Sequence, residues 1–230
     1  MSGLSTTEFQ IAAPAGWLQV RALWQPSEQV VLICHPHPLF GGTMDNKVVS
    51  TLFRFFRNQN ISVVTFNFRG VGSSTGQHAD GVGEIDDALT VLRWIMQQQT
   101  TVRTVYLAGF SFGAYIAAAV ASRINQQSDL AEHASNARAN ELTVFNELPA
   151  FKLARTYLVA PPVHHYPMDD LTLEADTVVL MGDEDEVVPP VEVQQWSHRL
   201  GLQLVMMPHC SHFFHGHLPD LTQQLAEKFP

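Results

Sequence analysis

Six short apolar runs, rich in β-branched residues, recur along the chain at residues 30–34, 62–68, 104–109, 156–160, 177–181 and 203–207. Several are apolar at nearly every position, the pattern of parallel strands buried on both faces. Helical patterns separate most of them. Residues 47–60 place Val48, Leu52, Phe55 and Phe56 on one stripe, and residues 84–97 do the same with Ile85, Leu89, Leu92, Ile95 and Met96. Glu84, Asp86 and Asp87 open the second pattern, where the positive end of a helix dipole favours acidic side chains. Residues 111–125 are rich in alanine, Pro189 and Pro190 open a helix over 191–200, and a last helix covers about 219–228. This alternation predicts a mostly parallel, doubly wound α/β sheet with right-handed crossovers.

Two segments depart from it. Residues 9–12 and 17–24 flank Pro14-Ala15-Gly16 and predict an antiparallel hairpin on the sheet edge. Residues 126 to about 152 form a polar stretch of Asn, Ser, Ala, Glu and His, expected to run over the surface as a lid, a partner surface or a mobile loop. At 230 residues one domain is expected, 1–230, with no large lid domain because the interval from Pro161 to Asp176 is short.

Gly109-Phe110-Ser111-Phe112-Gly113 follows one of the strand runs and precedes the alanine-rich helix. A G-x-S-x-G pentapeptide at a strand-to-helix corner presents a serine on a tight, strained turn, with a helix N-terminus beneath it. The glycines two residues away on either side are what such a turn needs, since side chains there would collide. A serine hydroxyl is a weak nucleophile until a base takes its proton and a third group orients that base. Downstream, the run at 177–181 leads into Gly182-Asp183-Glu184-Asp185-Glu186-Val187-Val188-Pro189. The run at 203–207 leads into Pro208-His209-Cys210-Ser211-His212-Phe213-Phe214. Carboxylates and imidazoles thus follow the carboxyl ends of successive strands, where open α/β sheets place their sites. Asp183 and Asp185 are both candidate acids here, and His209 and His212 both candidate bases.

With these segments, Cys34-His35-Pro36-His37-Pro38-Leu39-Phe40-Gly41-Gly42 and Phe66-Asn67-Phe68-Arg69-Gly70-Val71-Gly72-Ser73-Ser74-Thr75-Gly76, the chain resembles the α/β-hydrolase superfamily, specifically the small bacterial serine hydrolases related to dienelactone hydrolase. The resemblance implies an α/β-hydrolase fold and a catalytic triad in which Ser111 attacks, Asp185 is the acid and His212 the base. Dienelactone hydrolases carry cysteine where this chain has Ser111, so a dienelactone substrate is not implied. It also implies an oxyanion hole made by the backbone N–H of Phe112 and a second N–H from the loop after the 30–34 run. There Pro36 and Pro38 have no N–H to give, which leaves His37 first and Leu39 second. Arg69 is expected to brace the neighbouring loop. Phe110, Phe112, Leu39, Phe40 and Tyr166 are candidates for an apolar acyl pocket. The expected activity is hydrolysis of carboxylic esters or thioesters through an acyl-enzyme, with no cofactor and a small acyl compound as partner.

Two other readings stand beside this one. A metal-dependent hydrolase would use His35 and His37 with His164, His165 or an Asp, a reading prompted by eleven histidines in the chain. A non-catalytic binding protein would keep the fold without the chemistry. Composition narrows the partners. With 22 acidic and 13 basic residues the net charge is −9, which disfavours nucleic acid and anionic membrane surfaces. No apolar run reaches the roughly 18 residues of a membrane span. Two cysteines, Cys34 and Cys210, fit free thiols in a reducing cytoplasm. The sequence sets no oligomeric state.

Overall fold

The structure, a computed structural model, describes residues 5–133 and 151–230. Among them the chain forms one eight-stranded sheet in the order β1-β2-β4-β3-β5-β6-β7-β8. β1 (Thr7–Ala13) and β2 (Gly16–Leu23) make the expected antiparallel hairpin at one edge, and β2 pairs antiparallel with β4 (Ser62–Phe66). The rest of the sheet is parallel: β3 (Gln29–Cys34), β5 (Thr104–Phe110), β6 (Lys152–Val159), β7 (Val178–Gly182) and β8 (Gln203–Met207). Every residue of β4 and β7 is buried, as two-sided packing requires.

The helices between them are α1 (Lys47–Asn58), α2 (Val82–Gln98), α3 (Phe112–His133), α4 (Pro190–Arg199) and α5 (Leu218–Lys228). From β3 the chain passes through α1 outward to β4, then through α2 back across β3 to β5. Right-handed crossovers in opposite directions put α1 and α2 on opposite faces. Accordingly α1 packs with α5, and α2 with α3. The reversal between β3 and β5 is the topological switch point, where an open α/β sheet parts its loops into a crevice. In register, Cys34 of β3 lies beside Gly109 of β5, so the His-Pro-His loop and the serine corner leave the sheet side by side.

The polar excursion expected over 126–152 is corrected at both ends. α3 continues to His133, and β6 begins at Lys152, four residues before the predicted strand. Polar composition there belongs to the last turns of a helix and the start of a strand rather than to a loop alone. What remains of the excursion lies outside the described residues. Among those described, no helix is long and apolar enough to cross a membrane.

Candidate active site

Ser111 has φ +54°, a left-handed conformation rare for a residue with a side chain. Its N–H bonds to the carbonyl of Val159 on β6, and its carbonyl accepts the N–H of Ala114, both at 2.8 Å. The flanking glycines are required by close approach. A Cβ on Gly109 would sit 2.0 Å from the Gly113 carbonyl oxygen, and one on Gly113 would sit 2.3 Å from that of Cys34. The corner is therefore pressed against both α3 and the end of β3.

The serine side chain meets an imidazole. Ser111 Oγ lies 3.1 Å from His212 Nε2, and His212 Nδ1 lies 2.7 Å from Asp185 Oδ2. The imidazole and the carboxylate are both buried. A carboxylate only accepts, so Nδ1 donates its proton to Asp185 and Nε2 is free to accept from the hydroxyl. Asp185 is fixed in turn by its own loop, since Oδ1 accepts the N–H groups of Val187 at 2.9 Å and Val188 at 2.7 Å. Asp183 and His209, the alternatives in the sequence, do not reach this run. Both are exposed, and His209 bonds to Glu184 at 3.0 Å. Glu186, exposed on the same loop, accepts the backbone N–H of His212 at 3.1 Å.

The N–H groups of Phe112 and His37 have no acceptor among the described residues, and both flank the serine corner. Leu39, the runner-up donor, is committed, because its N–H bonds to His37 Nδ1 at 3.2 Å. The direction of the His37 N–H is set one residue earlier. His35 is fully buried, and its Nε2 accepts the N–H of Phe68 at 3.0 Å while its Nδ1 faces the carbonyl of Pro36 at 2.6 Å. Since Nε2 must be bare to accept, Nδ1 carries the proton and donates. It thereby holds the carbonyl of the Pro36–His37 peptide, and in a trans peptide the N–H of His37 points the opposite way.

The same bonds correct the metal reading. Both nitrogens of His35 are engaged within the fold, so His35 has no lone pair to offer a cation, and His37 Nδ1 is engaged as well. Burial depresses the His35 pKa to about 4 from an ordinary 6.5. As pH falls from 6.5 to 4, the unfolded chain takes up a proton that the folded chain refuses, so this group erodes stability across that window and costs nothing above it. The loss should total about 3 kcal/mol, at 1.36 kcal/mol per unit. Urea unfolding midpoints measured against pH will show the decline, and His35→Asn should flatten it whatever its plateau. An equally steep decline in that variant would assign the acid sensitivity to other groups.

Arg69 braces as expected, with Nε and Nη2 on the two oxygens of buried Asp87 at 3.0 and 2.7 Å. Burial raises the Asp87 pKa and the guanidinium opposes it. The sequence reading placed Glu84 at the start of the helix but not its burial or its bonds, and it missed His78. Glu84 is fully buried and accepts the N–H groups of Ala79 and Gly81, both at 2.9 Å, closing the turn into α2. Its place three residues after Gly81 was the available signal. His78 packs 4.8 Å from the His37 ring and 5.7 Å from Phe112, through contacts between distant segments that leave no sequence pattern.

A family model described as alpha/beta hydrolase fold matches residues 83–222, and another with the same description matches residues 29–131. The chain belongs to the α/β-hydrolase fold family. Among solved α/β-hydrolases, a serine hydrolase homologue from Coxiella burnetii is 35% identical, with a TM-score of 0.80 over 97% of both chains. A serine hydrolase without lid from Xanthomonas campestris is 32% identical, with a TM-score of 0.81 over 97% of this chain and 93% of its own. An uncharacterised protein of Rickettsia prowazekii is 31% identical over 182 residues, 77% of this α/β-hydrolase chain. That match spans 66% of the Rickettsia protein, just under two thirds of its length.

Proposed function

We propose that this α/β-hydrolase cleaves carboxylic esters or thioesters through a covalent acyl-enzyme. The observation that supports this most strongly is the hydrogen-bond run from buried Asp185 through His212 to the strained Ser111, beside two uncommitted backbone N–H groups. In the first half-reaction, Ser111 Oγ attacks the acyl carbon as its proton passes to His212 Nε2. Charge on the former carbonyl oxygen is met by the N–H groups of Phe112 and His37. Asp185 stabilises the imidazolium, which then gives its proton to the departing alkoxide or thiolate. Water repeats the sequence on the acyl-serine, releasing the acid and restoring the hydroxyl. The likeness to dienelactone hydrolases concerns motifs alone, and the serine at position 111 separates this chain from their cysteine chemistry.

The rim favours an apolar acyl group. Among the described residues the exposed large hydrophobics are Trp17, Leu39, Phe40, Val82, Val187, Val191 and Phe213. All but Trp17 lie on segments that follow the carboxyl ends of strands, the end of the sheet at which Ser111 follows β5. Rings link the rim to the serine corner, with Phe40 4.8 Å from His37 and His37 5.0 Å from Phe112. A fully buried methylene contributes about 0.8 kcal/mol, and on this half-solvated rim about half of that is expected. With p-nitrophenyl esters, kcat/KM should therefore rise about twofold per added methylene from acetyl to about octanoyl. A series that peaks at acetyl would remove the rim from acyl recognition.

A fluorophosphonate probe tests the reaction class. The adduct is expected on the peptide that contains Ser111, together with turnover of p-nitrophenyl esters. No adduct and no turnover would leave the non-catalytic alternative, and an adduct elsewhere would overturn the assignment of the nucleophile.

A further inference from the structure

We propose that the side chain of His37 is a positioning residue, an imidazole cap that holds the loop after β3 so that its own main-chain N–H faces the oxyanion. This inference rests on the acyl-transfer reading above. His37 Nδ1 accepts the N–H of Leu39 at 3.2 Å, capping the one-turn helix Pro38–Phe40. The His37 carbonyl accepts two more N–H groups, from Phe40 at 3.2 Å and Gly42 at 3.0 Å. One residue thus closes the turn with both side chain and main chain, and its N–H is the part left over. His35 holds the preceding carbonyl at 2.6 Å, so the Pro36–His37 peptide is restrained on both sides. Two fixed points define the direction of an N–H. A single one leaves rotation about the flanking bonds.

The cap works only with Nδ1 bare and the proton on Nε2. The surroundings of the ring suit that state. Burial lowers the His37 pKa first, then His78, with Glu84 and Asp80 opposing and His165 adding to the lowering. The ring itself lies against Phe40, His78 and Phe112 at 4.8, 4.8 and 5.0 Å, contributed by three different segments. The side chain therefore has two separable properties, an acceptor at Nδ1 and an aromatic face.

Substitution separates them. His37→Asn discards the aromatic face and retains a side-chain acceptor of the kind that caps helices well. His37→Phe retains the face and discards the acceptor, and His37→Ala discards both. The readouts are the second-order rate of fluorophosphonate labelling and kcat with a p-nitrophenyl ester, since both reactions build charge on the oxygen that the His37 N–H would meet. Losing one oxyanion donor outright costs about 100-fold or more, and a misdirected donor should cost less. His37→Phe and His37→Ala are expected to lose about tenfold or more in both rates with KM little changed. His37→Asn is expected to recover at least about fivefold of that loss. Thermal unfolding checks that each variant is folded, and the alanine variant replaces the phenylalanine one should the latter not fold.

Equal losses in His37→Asn and His37→Ala would overturn the proposal in favour of ring packing. Wild-type rates in His37→Ala would overturn it by showing that the cap is dispensable. Failure of the wild type to label at all would instead defeat the acyl-transfer reading, a separate result.

Discussion

Replacing Ser111 by alanine is expected to lower kcat by about three orders of magnitude or more and to abolish fluorophosphonate labelling, while the chain stays folded. The loss follows from the order of the chemistry. In the proposed reaction no acyl-enzyme forms without Oγ, and the N–H groups of Phe112 and His37, as the proposed oxyanion donors, would stabilise only a direct attack by water, which sustains a small residual rate. The fold should survive because the corner is held by main-chain bonds, from the Ser111 N–H to Val159 and from Ala114 to the Ser111 carbonyl. Alanine accepts the same left-handed backbone at about the same strain as serine, and glycine accepts it with less. Ser111→Gly should therefore be as inactive as Ser111→Ala and more stable by about 1 kcal/mol, the low end of what such strain stores. Stability rising as activity vanishes would identify the strained angle as part of the site. If Ser111→Ala hydrolyses esters at the wild-type rate, the proposed nucleophile is wrong.

Much of this arrangement was legible in the chain because each part is local. Strands buried on both faces have to be apolar throughout, and a glycine two residues to either side of Ser111 has to be there if helix, strand and loop are to meet so closely. What was not legible depends on segments far apart in sequence. His35 and His37 are two residues apart and invited a metal, yet His35 is spent on Phe68, more than 30 residues away, and on its own neighbour's carbonyl. Glu186 is one of four acidic residues in a row of its loop, and its bond to the backbone of His212 exists only because β7 and β8 lie side by side. The end of α3 was misread for a different reason. After Asn125 the helix carries few apolar residues, and a polar composition of that kind resembles that of a loop.

Asp185→Asn is expected to lower kcat by about 10³- to 10⁴-fold with little change in stability, and the reason lies in which proton His212 keeps. Asp185 Oδ1 is bound by the N–H groups of Val187 and Val188, so an asparagine there must turn its carbonyl oxygen toward them. Its NH2 group then faces His212 Nδ1, where Oδ2 had accepted a proton. Two donors cannot face one another, so Nδ1 gives up its proton and Nε2 acquires it. An imidazole protonated at Nε2 offers a donor to Ser111 Oγ and has nothing with which to take the serine proton. The geometry survives and the base is disabled. Asp183→Asn and His209→Ala, on exposed side chains of the same loops, should leave kcat within about twofold, in keeping with the small effects of surface substitutions. Steady-state rates and urea midpoints for the three variants decide the matter. A loss in Asp183→Asn as deep as in Asp185→Asn would mean that the acid has been assigned to the wrong carboxylate. Full activity in Asp185→Asn would mean that the imidazole is oriented by some other group.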